Sequence, residues 1–248
     1  MLIWLVAATG FFTAALSGVA GVGGGTILIG VLFALGLAPT SAVPLLATAQ
    51  LVSNFSRTVA YLKHVQWRAL FWFSLTGIPA PFLVAPYVAT MDVNVVRLIL
   101  AGFILVSLAP SKKNGEDPIP EIPALLLAGF LNGSVGMFVG ATGLFVGRLF
   151  LRPEWKKETV IGTLALCQTL GHALKVVAYG SVGFTVLAQT DLLLPLMVAV
   201  IAGTGAGRVL NRHLSEELFR RLFKSLLLVL SLKLIFDGVT GLGWIAWN

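Results

Sequence analysis

Not one charged side chain stands between Leu2 and Ser56, and the apolar run resumes after each short polar break that follows. A water-soluble domain carries about 25% charged residues, spread so that every element has a wet face. Here 57% of the 248 residues are hydrophobic and 11% are charged, and the mean hydropathy is +0.94. That composition cannot coat a soluble particle, and it is far too apolar for a disordered chain. A single cysteine, Cys167, excludes an internal disulfide and any cysteine-rich metal or iron–sulfur centre. The chain reads as an all-α polytopic membrane protein whose first partner is the lipid bilayer.

The net charge of +7 comes from short basic clusters between apolar runs. Such clusters fit cytoplasmic loops beside lipid headgroups, so no nucleic-acid partner is expected. The apolar stretch Leu2–Gly18 lacks a basic leader and is expected to stay in the mature chain.

A hydrocarbon core of ~30 Å needs ~20 apolar residues per helix. Full-length spans are expected at Thr40–Leu62, Trp67–Ala89, Val93–Ala109, Thr159–Tyr179, Leu192–Leu210 and Leu218–Asp237. Two stretches, Leu2–Leu37 and Ile122–Leu151, are too long for one crossing, and glycine-rich runs cut both: Gly18–Gly25 and Gly133–Gly143. Glycine weakens a helix and admits backbone conformations closed to other residues, so each stretch predicts a helix, a break and a half-helix. The half-helices would be Thr26–Leu37 and Leu144–Leu151. Polar, turn-rich Ser111–Pro118 is the one clear linker.

The chain also repeats itself. A shift of 118 positions lays Gly18 on Gly136, Gly25 on Gly143, and Pro44–Tyr61 on Gly162–Tyr179, with Gln50/Gln168 and Tyr61/Tyr179 among the identities. Asn54/His172 and Arg57/Lys175 match in chemistry, and a shift of 124 pairs Asp92 with Glu216 and Arg97 with Arg221. Residues 1–110 form repeat one, 111–121 the linker and 122–248 repeat two, together one transmembrane domain. Each repeat is a glycine-broken hairpin plus three transmembrane helices.

Basic residues orient the halves. The loop Lys63–Arg68 is basic and its counterpart Gly180–Thr190 has no Lys or Arg. Ala89–Asn94 carries no base, while its counterpart holds Arg208, Arg212, Arg220, Arg221 and Lys224. Gly36–Thr40 is uncharged against Arg152–Lys157. Each equivalent loop changes side, so the repeats are expected to be inverted, with both termini outside and Ser111–Pro118 in the cytoplasm. Parallel repeats with drifted charges would leave those reversals unexplained.

Inverted repeats with interrupted helices are a transporter layout, with substrate near the midplane where half-helix ends meet. Half-helix N-termini favour an anion, which makes Gly23, Gly24, Gly25, Ala141, Thr142 and Gly143 candidate substrate contacts. The plainer reading of any one glycine is close helix packing, and Gly21 and Gly25 have that spacing. Gln50, Asn54, Arg57 and Tyr61 share one helical face, repeated by Gln168, His172, Lys175 and Tyr179. Ionisable groups at membrane depth are costly and mark substrate paths by default. A guanidinium and an ammonium, one per half, suit an oxoanion. The competing reading lets Arg57 and Lys175 snorkel to headgroups, and makes Tyr61 and Tyr179 interface residues. Neither polar face carries an acid, which argues against a cation carrier, and no nucleophile–base or metal constellation supports an enzyme. Lys233 and Asp237 have the spacing of an ion pair at the edge of the last helix.

The run Ser17–Gly25, the helix with Ala42 and Thr48-Ala49-Gln50, and the second copy Gly136–Gly143 resemble the TauE/SafE family over essentially the whole chain. Gly30 stands where that family often has proline, and Ala141-Thr142-Gly143 replaces its triple glycine. The resemblance implies a secondary transporter in the cytoplasmic membrane that moves sulfite or an organosulfonate outward, without a cofactor. An anion channel or a thiosulfate-type importer with the same lining is the alternative, and a homo-oligomer is compatible with the sequence.

Overall fold

The computed structural model describes residues 1–20, 24–108, 119–210 and 216–245. Gly23 and the linker Ser111–Pro118 lie outside the described residues. Every regular element among the described residues is helical. In chain order these are α1 (Leu2–Ala20), α2 (Gly24–Ala34), α3 (Pro39–Ala60), α4 (Trp67–Gly77), α5 (Pro79–Val84) and α6 (Val93–Leu108). The second half follows with α7 (Glu121–Gly133), α8 (Val135–Val139), α9 (Gly143–Leu149), α10 (Lys157–Ser181), α11 (Thr190–Leu210) and α12 (Glu216–Gly241).

The expected half-helices are α2 and α9. The span expected at Trp67–Ala89 is present as Trp67–Tyr87, with a local interruption at Ile78 that divides it into α4, α5 and a final 3₁₀ turn at Ala85–Tyr87. Proline has no amide hydrogen and crowds the preceding turn, and Pro79 and Pro81 sit where the helix stops and restarts. Between α8 and α9 the chain turns through Gly140 at φ +72°, a left-handed conformation that costs glycine nothing.

The surface is that of a protein dissolved in lipid. Phe12, Phe55, Phe71, Leu83, Val198 and Val229 are each more than half exposed. Polar side chains are inside instead: Asn54, Asn132, Thr142, Gln168, His172 and Lys175 are all buried. Trp67–Tyr87, Glu121–Val139, Lys157–Ser181 and Val186–Gly207 are long and apolar enough to cross a membrane.

Packing pairs the elements across the halves. α1 runs along α11, where Gly203 lies on Phe11 and Gly207 on Ala15, too close for a β-carbon at either glycine. α7 runs along α4 and α5 in the same manner, with Gly129 on Phe73 and Gly77, and Gly133 on Gly77 and Ala80. At both seams small residues let the backbones approach closely, and Thr76 Oγ1 also donates across to the Leu126 carbonyl at 2.6 Å. Of the two glycines with packing spacing, Gly21 lies outside the described residues and Gly25 packs closely on Gln50.

α3 and α10 cross in opposite senses. Thr58 Oγ1 meets Thr169 Oγ1 at 3.2 Å, while Tyr61, further along α3, packs on Gly162, earlier in α10. The Gln66 N–H then donates to Thr163 Oγ1 at 3.0 Å. α6 and α12 are likewise opposed, Leu98 meeting Gly238 and Asn94 meeting Gly241. Near the end of α12, Lys233 and Asp237 make the expected pair at 2.7 Å.

Candidate functional site

The start of α2 meets the α8–α9 turn beside α3. Gly24 and Gly25 begin α2 as buried residues, because α2 is surrounded on its way in by α1, α3 and α12. A β-carbon at Gly25 would stand 3.0 Å from the Gln50 amide nitrogen and 3.5 Å from the Ala141 β-carbon. Gly140, in the other break, faces Leu46 of α3 and Ile29 of α2. The first-turn amides of α2 therefore lie next to Gln50 and to the α8–α9 turn.

Beside this junction α1, α2, α3 and α11 line a small cleft. Its lining is Thr13, Ala14, Leu28, Gln50, Ser53, Arg57, Val200 and Thr204. The hydroxyls of Thr13 and Thr204 donate to carbonyls of their own helices, Thr9 and Val200, at 2.8 Å each. Gln50, Ser53 and Arg57, at i, i+3 and i+7 on α3, supply the polar face. The guanidinium of half-buried Arg57 is steered by Asn54, whose Oδ1 accepts from Nη1 at 3.4 Å. A cation in a partly desolvated cleft, next to a side-chain amide and a helix start, suits an oxoanion.

The second polar face has a different setting. Lys175 is 0% exposed, lies across Gly136, and donates from Nζ to the Gly140 carbonyl at 3.0 Å. Tyr179, also 0% exposed, donates its hydroxyl to the Met137 carbonyl. Thr142 donates to Asn132 Oδ1 at 2.8 Å and so ties the α9 start to α7. Gln168 and His172 are buried on the same side of α10, and Gln168 Nε2 and His172 Nδ1 have no hydrogen-bond partner among the described residues.

Of the residues singled out from sequence, the structure brings Gln50 and Arg57 to the cleft, packs Gly25 against Gln50 and Ala141, and buries Gly24 at the start of α2. Asn54 sits behind Arg57. Gln168, His172, Lys175, Tyr179 and Thr142 are gathered in a closed region around the second break, which leads through Thr142 into Gly143, the first residue of α9. Tyr61 ends α3, packs on Gly162 and does not line the cleft. Sequence reasoning missed Ser53, Thr13, Thr204 and Asn132. Only Ser53 carried a periodic signal, three residues beyond Gln50 and four before Arg57.

The family model described as "Sulfite exporter TauE/SafE" matches residues 6–234. No curated protein and no solved structure matches the chain. With 6–234 of 248 residues matched, helices suited to lipid and polar groups turned inward, the chain belongs to the sulfite exporter TauE/SafE family, a family of transporters whose membership implies movement of sulfite or a related sulfur anion across a membrane.

Proposed function

We propose that this chain is a secondary transporter that exports a small sulfur oxoanion or sulfonate across the cytoplasmic membrane by alternating access. The observation that carries this reading is the unequal setting of two matched cations. Half-buried Arg57 lines a small cleft, and its counterpart Lys175 is fully buried across Gly136. A carrier needs one binding region that faces one side while the equivalent elements close the other. In that scheme Arg57 and Lys175 neutralise the anion in turn. Gln50 and Gln168 donate hydrogen bonds with Asn54 and His172 behind them, and the backbone at Gly24–Gly25 and Ala141–Gly143 completes the cradle.

The opposed crossings of α3 on α10 and α6 on α12, and the paired seams α1–α11 and α7–α4, support inverted halves. Equivalent helices that cross antiparallel are related by an axis lying across them. For membrane-spanning helices that axis lies in the membrane plane. The absolute orientation rests on the basic loops Lys63–Arg68 and Arg152–Lys157, which put both termini outside and Ser111–Pro118 in the cytoplasm.

The test is sulfite flux in proteoliposomes with alanine at both Arg57 and Lys175. Loss of flux in a protein that still reconstitutes supports the assignment. Flux equal to that of the parent protein refutes it.

A further inference from the structure

Asn132 is 0% exposed, and its amide nitrogen Nδ2 has no hydrogen-bond partner among the described residues. Its orientation is set from the other end, because Oδ1 accepts from Thr142 at 2.8 Å. The amide occupies the space that a β-carbon on Gly171 would take, with Cγ 3.0 Å from that point. Gln168 Nε2 and His172 Nδ1, on the same turns of α10, are buried and unpartnered too. Leaving buried polar groups unpaired costs about 1–3 kcal/mol each, so a cluster of them on a lysine face calls for a ligand.

The ligand has to be rich in acceptors. Asn132 and Gln168 each present an NH₂ group, and the Lys175 ammonium has three donors, of which the Gly140 carbonyl takes one. The acids of α7 and α10, Glu121 and Glu158, stand in the first turns of those helices, far from this cluster. An oxoanion supplies several acceptor oxygens and balances the charge.

The register strengthens the case. Moved back 118 positions, Asn132, Gln168, Gly171 and Lys175 become Ala14, Gln50, Ser53 and Arg57, and all of these line the small cleft. Between the halves a donor has changed helix. In the first half α3 carries the hydroxyl of Ser53, and Ala14 of α1 lines the same cleft. In the second, α10 has lost its side chain at Gly171 and α7 supplies Asn132 instead. One polar donor is kept in both halves at these repeat positions, by different residues.

We propose that Asn132 is a substrate ligand in an occluded anion position in the second half, shared with Gln168, His172 and Lys175. This rests on the transport reading above and adds a second, closed position for the same oxoanion.

Sulfite is the probe, titrated calorimetrically into monodisperse protein in nanodiscs, so that a partly unfolded preparation does not obscure the affinity. Asn132→Asp keeps an acceptor for Thr142 and replaces the donor with a charge that repels the anion. Its sulfite affinity is expected to fall about tenfold or more, and that of Asn132→Ala about fivefold. Ser53→Gly is expected to weaken binding similarly, and Ala14→Asn added to it to restore binding, since that pair copies the second half. If both Asn132 variants bind sulfite as the parent does, while Arg57→Ala binds weakly, the Asn132 assignment is overturned and the transport reading stands. If the parent protein binds neither sulfite nor thiosulfate nor taurine, the transport reading falls and this inference falls with it.

Discussion

Lys175 lies across Gly136 and reaches the Gly140 carbonyl at 3.0 Å, so the second cation of the protein is held by the backbone of a broken helix. Its counterpart Arg57 is held by a side chain, Asn54, at the wall of a cleft.

A β-carbon at Gly136 would stand 2.8 Å from Lys175 Cε and Nζ, the far end of a flexible side chain. Gly136→Ala should therefore displace the ammonium without unfolding the protein. The expected result is a several-fold rise in KM for sulfite with the thermal midpoint within a few degrees of the parent, read by flux and by thermal unfolding.

The seams behave differently, because there the obstacle is backbone. A β-carbon at Gly207 would come within 2.9 Å of Ala15 Cα, and one at Gly129 within 3.0 Å of the Gly77 nitrogen. Gly207→Ala and Gly129→Ala should each destabilise the protein by about 1–3 kcal/mol through overpacking, with KM of the folded fraction unchanged. Thermal unfolding in detergent and flux per folded molecule measure the two effects separately.

Access should follow the same asymmetry. In a Cys167→Ser background, Ser53→Cys should react with a small methanethiosulfonate and be protected by sulfite. Lys175→Cys should be slow to react at rest and faster during turnover. Equal and fast labelling of both sites would contradict a sealed second region.

Orientation has its own check. Asn114→Cys should resist impermeant thiol reagents in intact cells and react after permeabilisation, whereas Ser181→Cys, at the exposed end of α10, should react in intact cells. The reverse pattern would overturn the inverted arrangement proposed here.

Much of the architecture can be read from the sequence for a physical reason: a polar residue in an apolar helix stands out, and a shared period makes it stand out further. Gln50, Asn54 and Arg57 lie on one face, and the same spacing recurs at Gln168, His172 and Lys175. Asn132 had no periodic partner, and its match in the repeat is Ala14, so nothing along the chain marked it. Thr13 and Thr204 were silent because a threonine in a membrane helix satisfies itself on its own carbonyls, as both do here. The break at Ile78 was written in Pro79 and Pro81, but the hydropathy of Trp67–Ala89 concealed it. Which glycines pack helices and which free the backbone depends on neighbours that are distant in sequence. That is why the close contacts at Gly129, Gly133, Gly203 and Gly207 were not legible beside the one at Gly25.

Counterflow of radiolabelled sulfite in proteoliposomes tests the central claim most directly. With unlabelled sulfite inside, saturable uptake of label that exceeds uptake into empty vesicles is predicted, and it should be lost when Arg57 and Lys175 are both replaced by alanine. Non-saturating flux without trans-stimulation, accompanied by ohmic conductance in a planar bilayer, would contradict a carrier and identify a channel.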